Sequence, residues 1–317
     1  MKEISLAILK LVFISFFGFY LYRKRYLKEE VLNFLTFFVI NFSIPFLIFS
    51  RLVKNASLVL KYPLVLFLSL SVGIFLSGLL LGIIFSLKKN HPFRKEFISC
   101  VSFQNCGYLP MNIALFLFSS PLQEEFLVYV FLYILGFNII IWSVGSFFIF
   151  KRKDEDFKIK SIFSPPVIST IFALFLIYPK IHYLIPNFFL SILEMIGNLS
   201  FALSMIILGG WLAKVELKGV YENIFLIIKA SFLKLILLPL ISLFFLYYLK
   251  VSSLLGLFIL LESSMPSAVS LPIVASLRRA NTGIVSQIVF FTHIMSIFTI
   301  PFWLTIYLRF CGFYLGG

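Results

Sequence analysis

Charge is what this chain has least of. Only 13% of its 317 residues are charged, and Asp and Glu together number 13. A soluble domain usually carries about twice that charged fraction. Soluble enzymes, nucleic-acid binders and disordered proteins are therefore poor descriptions of it. Cysteine is as scarce. Cys100, Cys106 and Cys311 cannot make a disulfide framework, and their spacing fits no zinc site. The first two share one apolar stretch and read as small core residues. No HExxH, GxSxG or P-loop pattern occurs, so no metal, cofactor or nucleotide site is expected and an ATP-driven pump is disfavoured. The longest polar stretch is residues 151–161, which leaves no room for a soluble domain.

Apolar residues, by contrast, make up 61% of the chain, and 42 residues are Phe. A helix crosses the hydrocarbon core with about 20 mostly apolar residues. Ten such runs are legible, at roughly 4–22, 31–50, 62–87, 96–118, 124–150, 163–179, 187–212, 223–249, 253–275 and 284–308. The expected fold is an all-α integral membrane protein of ten helices. The first run resembles a signal peptide in length, but no small-residue cleavage site follows it. The basic Arg23-Lys24-Arg25 lies on its C-terminal flank, the wrong side for secretion. It reads as a retained first span.

The net charge of +14 is spread over short clusters between apolar runs. One alternate set of loops, including residues 23–28, 88–95 and 151–160, holds 17 of the 27 Lys and Arg residues, and the opposite set holds 7. By the positive-inside rule both termini face outward, loop 151–161 is cytoplasmic, and the chain sits in the cell membrane. That loop separates 1–150 from 162–317, with five spans each. An odd number per half makes the halves insert in opposite senses, as in an inverted-topology repeat.

The fourth and ninth runs are both interrupted in mid-span. The fourth carries Asn105-Cys106-Gly107-Tyr108-Leu109-Pro110, and the ninth runs from Ser263 through Met265-Pro266-Ser267 to Ser270-Leu271-Pro272. Proline removes a backbone donor and frees a carbonyl. In hydrocarbon such groups are tolerated only where protein or a water-filled cavity satisfies them. Equivalent breaks in two inverted halves point to a midplane binding site, and two half-helix N-termini converging there suit an anion. The plainer alternative, a kink packed by neighbouring helices, describes Pro45, Pro239 and Pro301 better. The expected binding residues are Asn105, Gly107, Tyr108, Pro110, Asn112, Ser264, Met265, Pro266, Ser267 and Ser270.

Three ionisable residues lie deep in spans. Glu262 stands four residues before Pro266, and a carboxylate near the midplane is a functional-site candidate by default. A proton-carrying role predicts that Glu262→Gln abolishes pH-driven uptake and spares exchange. Its alternative is a structural Glu, either protonated or bonded to serine. Lys234 either snorkels or balances a carboxylate, and His293 is either a proton relay or a packed, hydrogen-bonded ring. Coupling would then be to H⁺ or Na⁺. Asn41, Ser43 and Asn138 either line a cavity or bond neighbouring helices.

The residues also carry a resemblance. Gly18-Phe19-Tyr20-Leu21-Tyr22-Arg23-Lys24-Arg25, followed by Leu32 to Pro45-Phe46-Leu47-Ile48-Phe49, resembles the opening of the auxin efflux carrier family. Asn105-Cys106-Gly107-Tyr108-Leu109 is similar to its Asn-Thr-Gly-Phe-Leu motif. Leu233 to Pro239, Met265-Pro266-Ser267-Ala268-Val269 and Thr299-Ile300-Pro301-Phe302-Trp303 also fit, in the right order along nearly the whole chain. The chain departs from the family where Pro110-Met111-Asn112 replaces Gly-Ile-Pro, and where Phe201-Ala202-Leu203-Ser204 replaces a segment with proline. The resemblance implies ten helices in two inverted repeats, with helices four and nine broken and crossing. It gives Asn105 the role of touching a substrate carboxylate. It also implies an elevator-like motion of spans 3–5 and 8–10 against spans 1, 2, 6 and 7, and a homodimer through the latter.

The expected function is a secondary transporter of a small organic anion, auxin-like or a dicarboxylate such as malate. The rivals are a sodium-coupled carrier of the bile-acid type and a membrane sensor that binds without flux. An intramembrane enzyme is disfavoured, because Ser264, Glu262 and His293 show no motif spacing.

Overall fold

The computed structural model describes residues 2–86, 91–144, 163–249 and 251–311. The expected linker at 151–161 and its basic cluster lie outside those residues, as does the end of the fifth run. The described residues form helices and one isolated β-bridge, with no strand among them. In order they are α1 (Lys2–Arg23), α2 (Glu29–Lys54), α3 (Leu64–Ile84), α4 (Arg94–Ser102), α5 (Tyr108–Leu117) and α6 (Leu122–Trp142). There follow α7 (Pro165–Ile177), α8 (Asn187–Ala213), α9 (Val220–Tyr248), α10 (Ser253–Ser264), α11 (Leu271–Leu277) and α12 (Thr282–Cys311). Among the described residues, seven helices are long and apolar enough to cross a membrane, and α5, α7 and α10 are shorter apolar helices.

Local chemistry explains the irregular points. Helices α2 and α9 each contain a π-helical turn, Val39–Ser43 and Leu233–Leu237, just before Pro45 and Pro239. A proline cannot donate to the carbonyl four residues back. At Pro239 that carbonyl is Leu235 O, and the Trp303 indole Nε1 donates to it at 2.8 Å. The kink is therefore closed by a side chain from α12. Helix α10 opens on an N-cap, where Ser252 Oγ accepts the Leu255 amide at 3.4 Å.

Packing divides the helices into two groups. Helix α8 lies along α1 and α2, and α7 lies along α2. A Cβ at Gly209 would strike the Ser15 carbonyl oxygen, so the α1–α8 approach depends on glycine. The second group has α3 against α4 and α6, α9 against α10 and α12, and both α10 and α11 against α12. Its centre is aromatic: the Phe258 ring meets those of Phe67, Phe126, Tyr129 and Tyr133 at 5.5–6.1 Å. Outward-facing Phe13, Phe34, Phe188 and Phe225 are 63–78% exposed. Such faces invite aggregation in water and suit lipid.

Candidate functional site

The two interruptions lie side by side. Helix α4 ends at Ser102, so the carbonyls of its last turn lose their amide partners. Other parts of the chain supply replacements. Cys100 O accepts the Ser267 hydroxyl at 2.7 Å, and Val101 O accepts the Lys234 ammonium at 3.1 Å. Phe103 O accepts the Ala268 amide at 3.1 Å, while the Asn105 amide donates to Pro266 O at 2.8 Å. Gln104 and Ser267 thereby form an antiparallel bridge. At the second interruption Pro266 O takes the Asn105 backbone amide, and the Ser267 amide donates to Thr292 Oγ1 of α12 at 3.3 Å. Ser263 and Ser264 donate back to Leu260 O and Leu261 O at 2.9 and 2.8 Å.

Beside these bonded interruptions lies a cavity of about 180 Å³ between the two helix groups. Asn105, Gly107, Tyr108 and Ser270 border it from the crossing, and Thr36, Trp211, Ser164 and Asn138 border it from α2, α8, the start of α7 and α6. Trp211 is held by its indole donating to Thr36 Oγ1 at 3.1 Å. Helix α5 starts at Tyr108, so the N-terminal end of its dipole faces the cavity. A second, apolar cavity of about 270 Å³ lies between α1, α8 and α12, and His293 and Ser296 are among its few polar residues. The wall between the two cavities includes one hydrogen bond, from Asn105 Nδ2 to His293 Nε2 at 3.1 Å. The lining offers hydrogen-bond donors and a positive helix end in an apolar setting.

Two comparisons with known proteins decide the family. A family model described as membrane transport protein matches residues 3–160 and, separately, 154–304. The chain is also 28% identical over 315 residues to an uncharacterized transporter of Methanocaldococcus jannaschii, covering 95% of this chain and 97% of that protein. The chain belongs to the auxin efflux carrier family. It is a multi-pass membrane transporter.

Within this carrier, the residues expected at the site divide between several places. Asn105, Gly107, Tyr108 and Ser270 meet at the cavity. Pro110 is buried in the first turn of α5 and does not border it. Asn112 turns the other way: its Nδ2 donates to Tyr108 O at 2.8 Å and to Ser204 Oγ of α8 at 2.9 Å, beside a separate cavity that Arg51 and Asn198 also line. Ser264, Met265, Pro266 and Ser267 are buried in the crossing and do not border the cavity.

Lys234 and Glu262 are buried and do not line the cavity. Lys234 hydrogen-bonds a backbone carbonyl at the freed end of α4 and also interacts electrostatically with the Glu262 carboxyl. Both Glu262 oxygens are buried without a hydrogen-bond partner, so the expected serine bond is not made. Ser263 and Ser264 have already spent their hydroxyls on their own helix. Sequence reasoning passed over Gln104, Trp211, Thr36 and Ser164. Gln104 was legible as the polar neighbour of Asn105 within an apolar run, whereas Trp211 and Thr36 come from distant helices and carry no local signal.

Proposed function

We propose that this carrier moves a small organic anion by alternating access, taking its carboxylate at the cavity beside the α4/α5 and α10/α11 crossing. The observation that carries this reading is the convergence there of Asn105, Ser270 and the N-terminus of α5, with no charged side chain among the described lining residues to compete for the cargo. Auxin-like indole acids and dicarboxylates such as malate are the cargo classes that fit. An anion at the dipole end gains a favourable interaction that a neutral molecule does not. The lining also offers the Trp142 and Trp211 rings for an apolar body.

The ten-span plan in two inverted repeats is part of the same proposal. Residue contacts recur between halves: α1 lies on α8 as α7 lies on α2, and α3 on α6 as α9 on α12. The group built around the crossing would move against α1, α2, α7 and α8, with a homodimer formed through the latter. Both termini would face outward from the cell membrane. On the side expected to be outer, Arg51 of α2 pairs with Glu124 of α6 and, at 3.1 Å, with Glu194 of α8. That network joins the two groups and would part when the carrier opens outward.

A second reading of the energy source rests on Glu262. Two buried carboxylate oxygens without partners mark a group that holds a proton or a cation. Uptake of labelled indole-3-acetate and malate into proteoliposomes, by wild type and Asn105→Ala, tests the site. Uptake by wild type and its loss in the variant are expected, and equal uptake by both would remove the site from the crossing. Imposed sodium and pH gradients, with Glu262→Gln beside wild type, separate the bile-acid-type sodium mechanism from proton coupling. Binding without flux would instead make the protein a sensor.

A further inference from the structure

The hydrogen bonds around His293 determine which face of the Asn105 amide the cavity sees. His293 Nδ1 lies 2.7 Å from the Val289 carbonyl, which can only accept, so Nδ1 carries a hydrogen. In the neutral ring Nε2 then holds a lone pair. Its neighbour at 3.1 Å must donate, and that neighbour is the Nδ2 of Asn105. Turning the amide over would set its oxygen against the Nε2 lone pair. The neutral ring therefore locks Asn105 with Oδ1 directed away from it, on a residue that lines the cavity. An acceptor oxygen repels a carboxylate.

Protonation reverses the arrangement. With hydrogen on both ring nitrogens, Nε2 donates, the amide turns over to accept through Oδ1, and Nδ2 becomes the group offered to the cavity. Resting on the anion-carrier reading above, we propose that His293 is a positioning residue that couples each carboxylate taken up to one proton bound at its Nε2. The proton comes from the water on the side to which the cavity is open and leaves with the anion on the other side. Neither charge is stable there alone. An imidazolium in an apolar wall lacks a counter-ion, and a carboxylate facing Oδ1 meets a repelling acceptor, so each favours the binding of the other.

No other ionisable group substitutes for this switch. The elements packed around α12 carry, among other charged and titratable groups, Lys10 of α1, Glu96 and Cys100 of α4, Lys229 and Lys234 of α9, Glu262 of α10 and Arg278 beyond α11, with Cys106 beside Asn105. The ring's hydrogen-bond partners are Asn105 and Val289. Among the described residues, no charged one lines the apolar cavity on its far side.

The test has two arms, with indole-3-acetate, malate and benzoate as probes. In the first, protein with ¹⁵N-labelled histidine and His91→Gln and His182→Gln is placed in lipid nanodiscs, and the remaining ring is read by long-range ¹H–¹⁵N correlation. Without anion the ring should be neutral with hydrogen on Nδ1, and saturating probe should convert it to the doubly protonated form. In the second arm, apparent affinity for the probe is followed from roughly pH 6 to 8, where carboxylic acids are ionised. One linked proton makes affinity fall about tenfold per pH unit above the ring's titration. In His293→Gln, whose amide can turn either way, uptake should persist and that slope should vanish.

A neutral ring with hydrogen on Nε2, or a ring that stays neutral under a bound probe, overturns the coupling whatever the variant does. So does an unchanged slope in a transporting His293→Gln protein. If no probe binds or moves, the anion-carrier reading fails and the coupling falls with it. The tautomer of the unliganded ring still distinguishes that outcome from a wrong hydrogen-bond assignment.

Discussion

The two interruptions look alike as strings of proline and small polar residues, yet they satisfy their backbones differently. The first, after Ser102, relies on the other half of the chain: Ser267, Lys234 and Ala268 fill its carbonyls. The second, after Ser264, offers one carbonyl to the first half, Pro266 O to the Asn105 backbone amide, and finds another partner in its own half, Thr292 Oγ1 for the Ser267 amide, while Ser263 and Ser264 bond back to their own helix. The consequence is a division of labour. The first places the Asn105 side chain at the cavity, bonded to His293, while of the second Ser263, Ser264 and Ser267 are consumed in structure and Ser270 borders the cavity. Equivalent positions in a repeat therefore need not carry equivalent chemistry.

The contrast is sharpest at Asn105. Asn105→Ala removes a side-chain donor to a charged cargo, worth about 1.5–3 kcal/mol, so uptake or affinity should fall roughly ten- to a hundredfold with thermal stability nearly unchanged. A stability loss as large as the transport loss would make Asn105 a structural residue like the serines. Ser267→Ala should behave oppositely. It strands the buried Cys100 carbonyl at a cost of about 1–3 kcal/mol, visible as a lower melting temperature in detergent, while folded protein still transports.

Glu124→Gln addresses the outer network that joins the two helix groups. Partly exposed ion pairs contribute up to about 1 kcal/mol, a shift of roughly fivefold in a two-state population. A cysteine placed at Ala202, beside the Arg51-lined cavity, should be labelled faster by an impermeant maleimide in that background. Unchanged labelling would separate the network from the opening of the carrier. The smallest effect is expected at Ser264. Its hydroxyl only returns to its own helix, so Ser264→Ala should change neither stability nor uptake by more than about 0.5 kcal/mol. A tenfold loss of uptake there would erase the proposed asymmetry.

Much of the architecture follows from composition and order along the chain. Long Phe- and Leu-rich runs must be helices in lipid, because only helices satisfy every backbone group internally. The matching prolines at 110 and 266 expose where that rule is broken. Asn105 was legible because a polar amide next to a break is costly unless it is used. What local sequence could not reveal is where each freed group finds its partner. That Lys234 caps α4, that Asn112 faces Ser204 and not the cavity at the interruptions, and that Trp211 reaches that cavity all depend on helices far apart in sequence. Hydropathy is a property of single residues and survives as a one-dimensional pattern. Hydrogen-bond satisfaction is a property of pairs, and only the folded arrangement decides which residues become pairs.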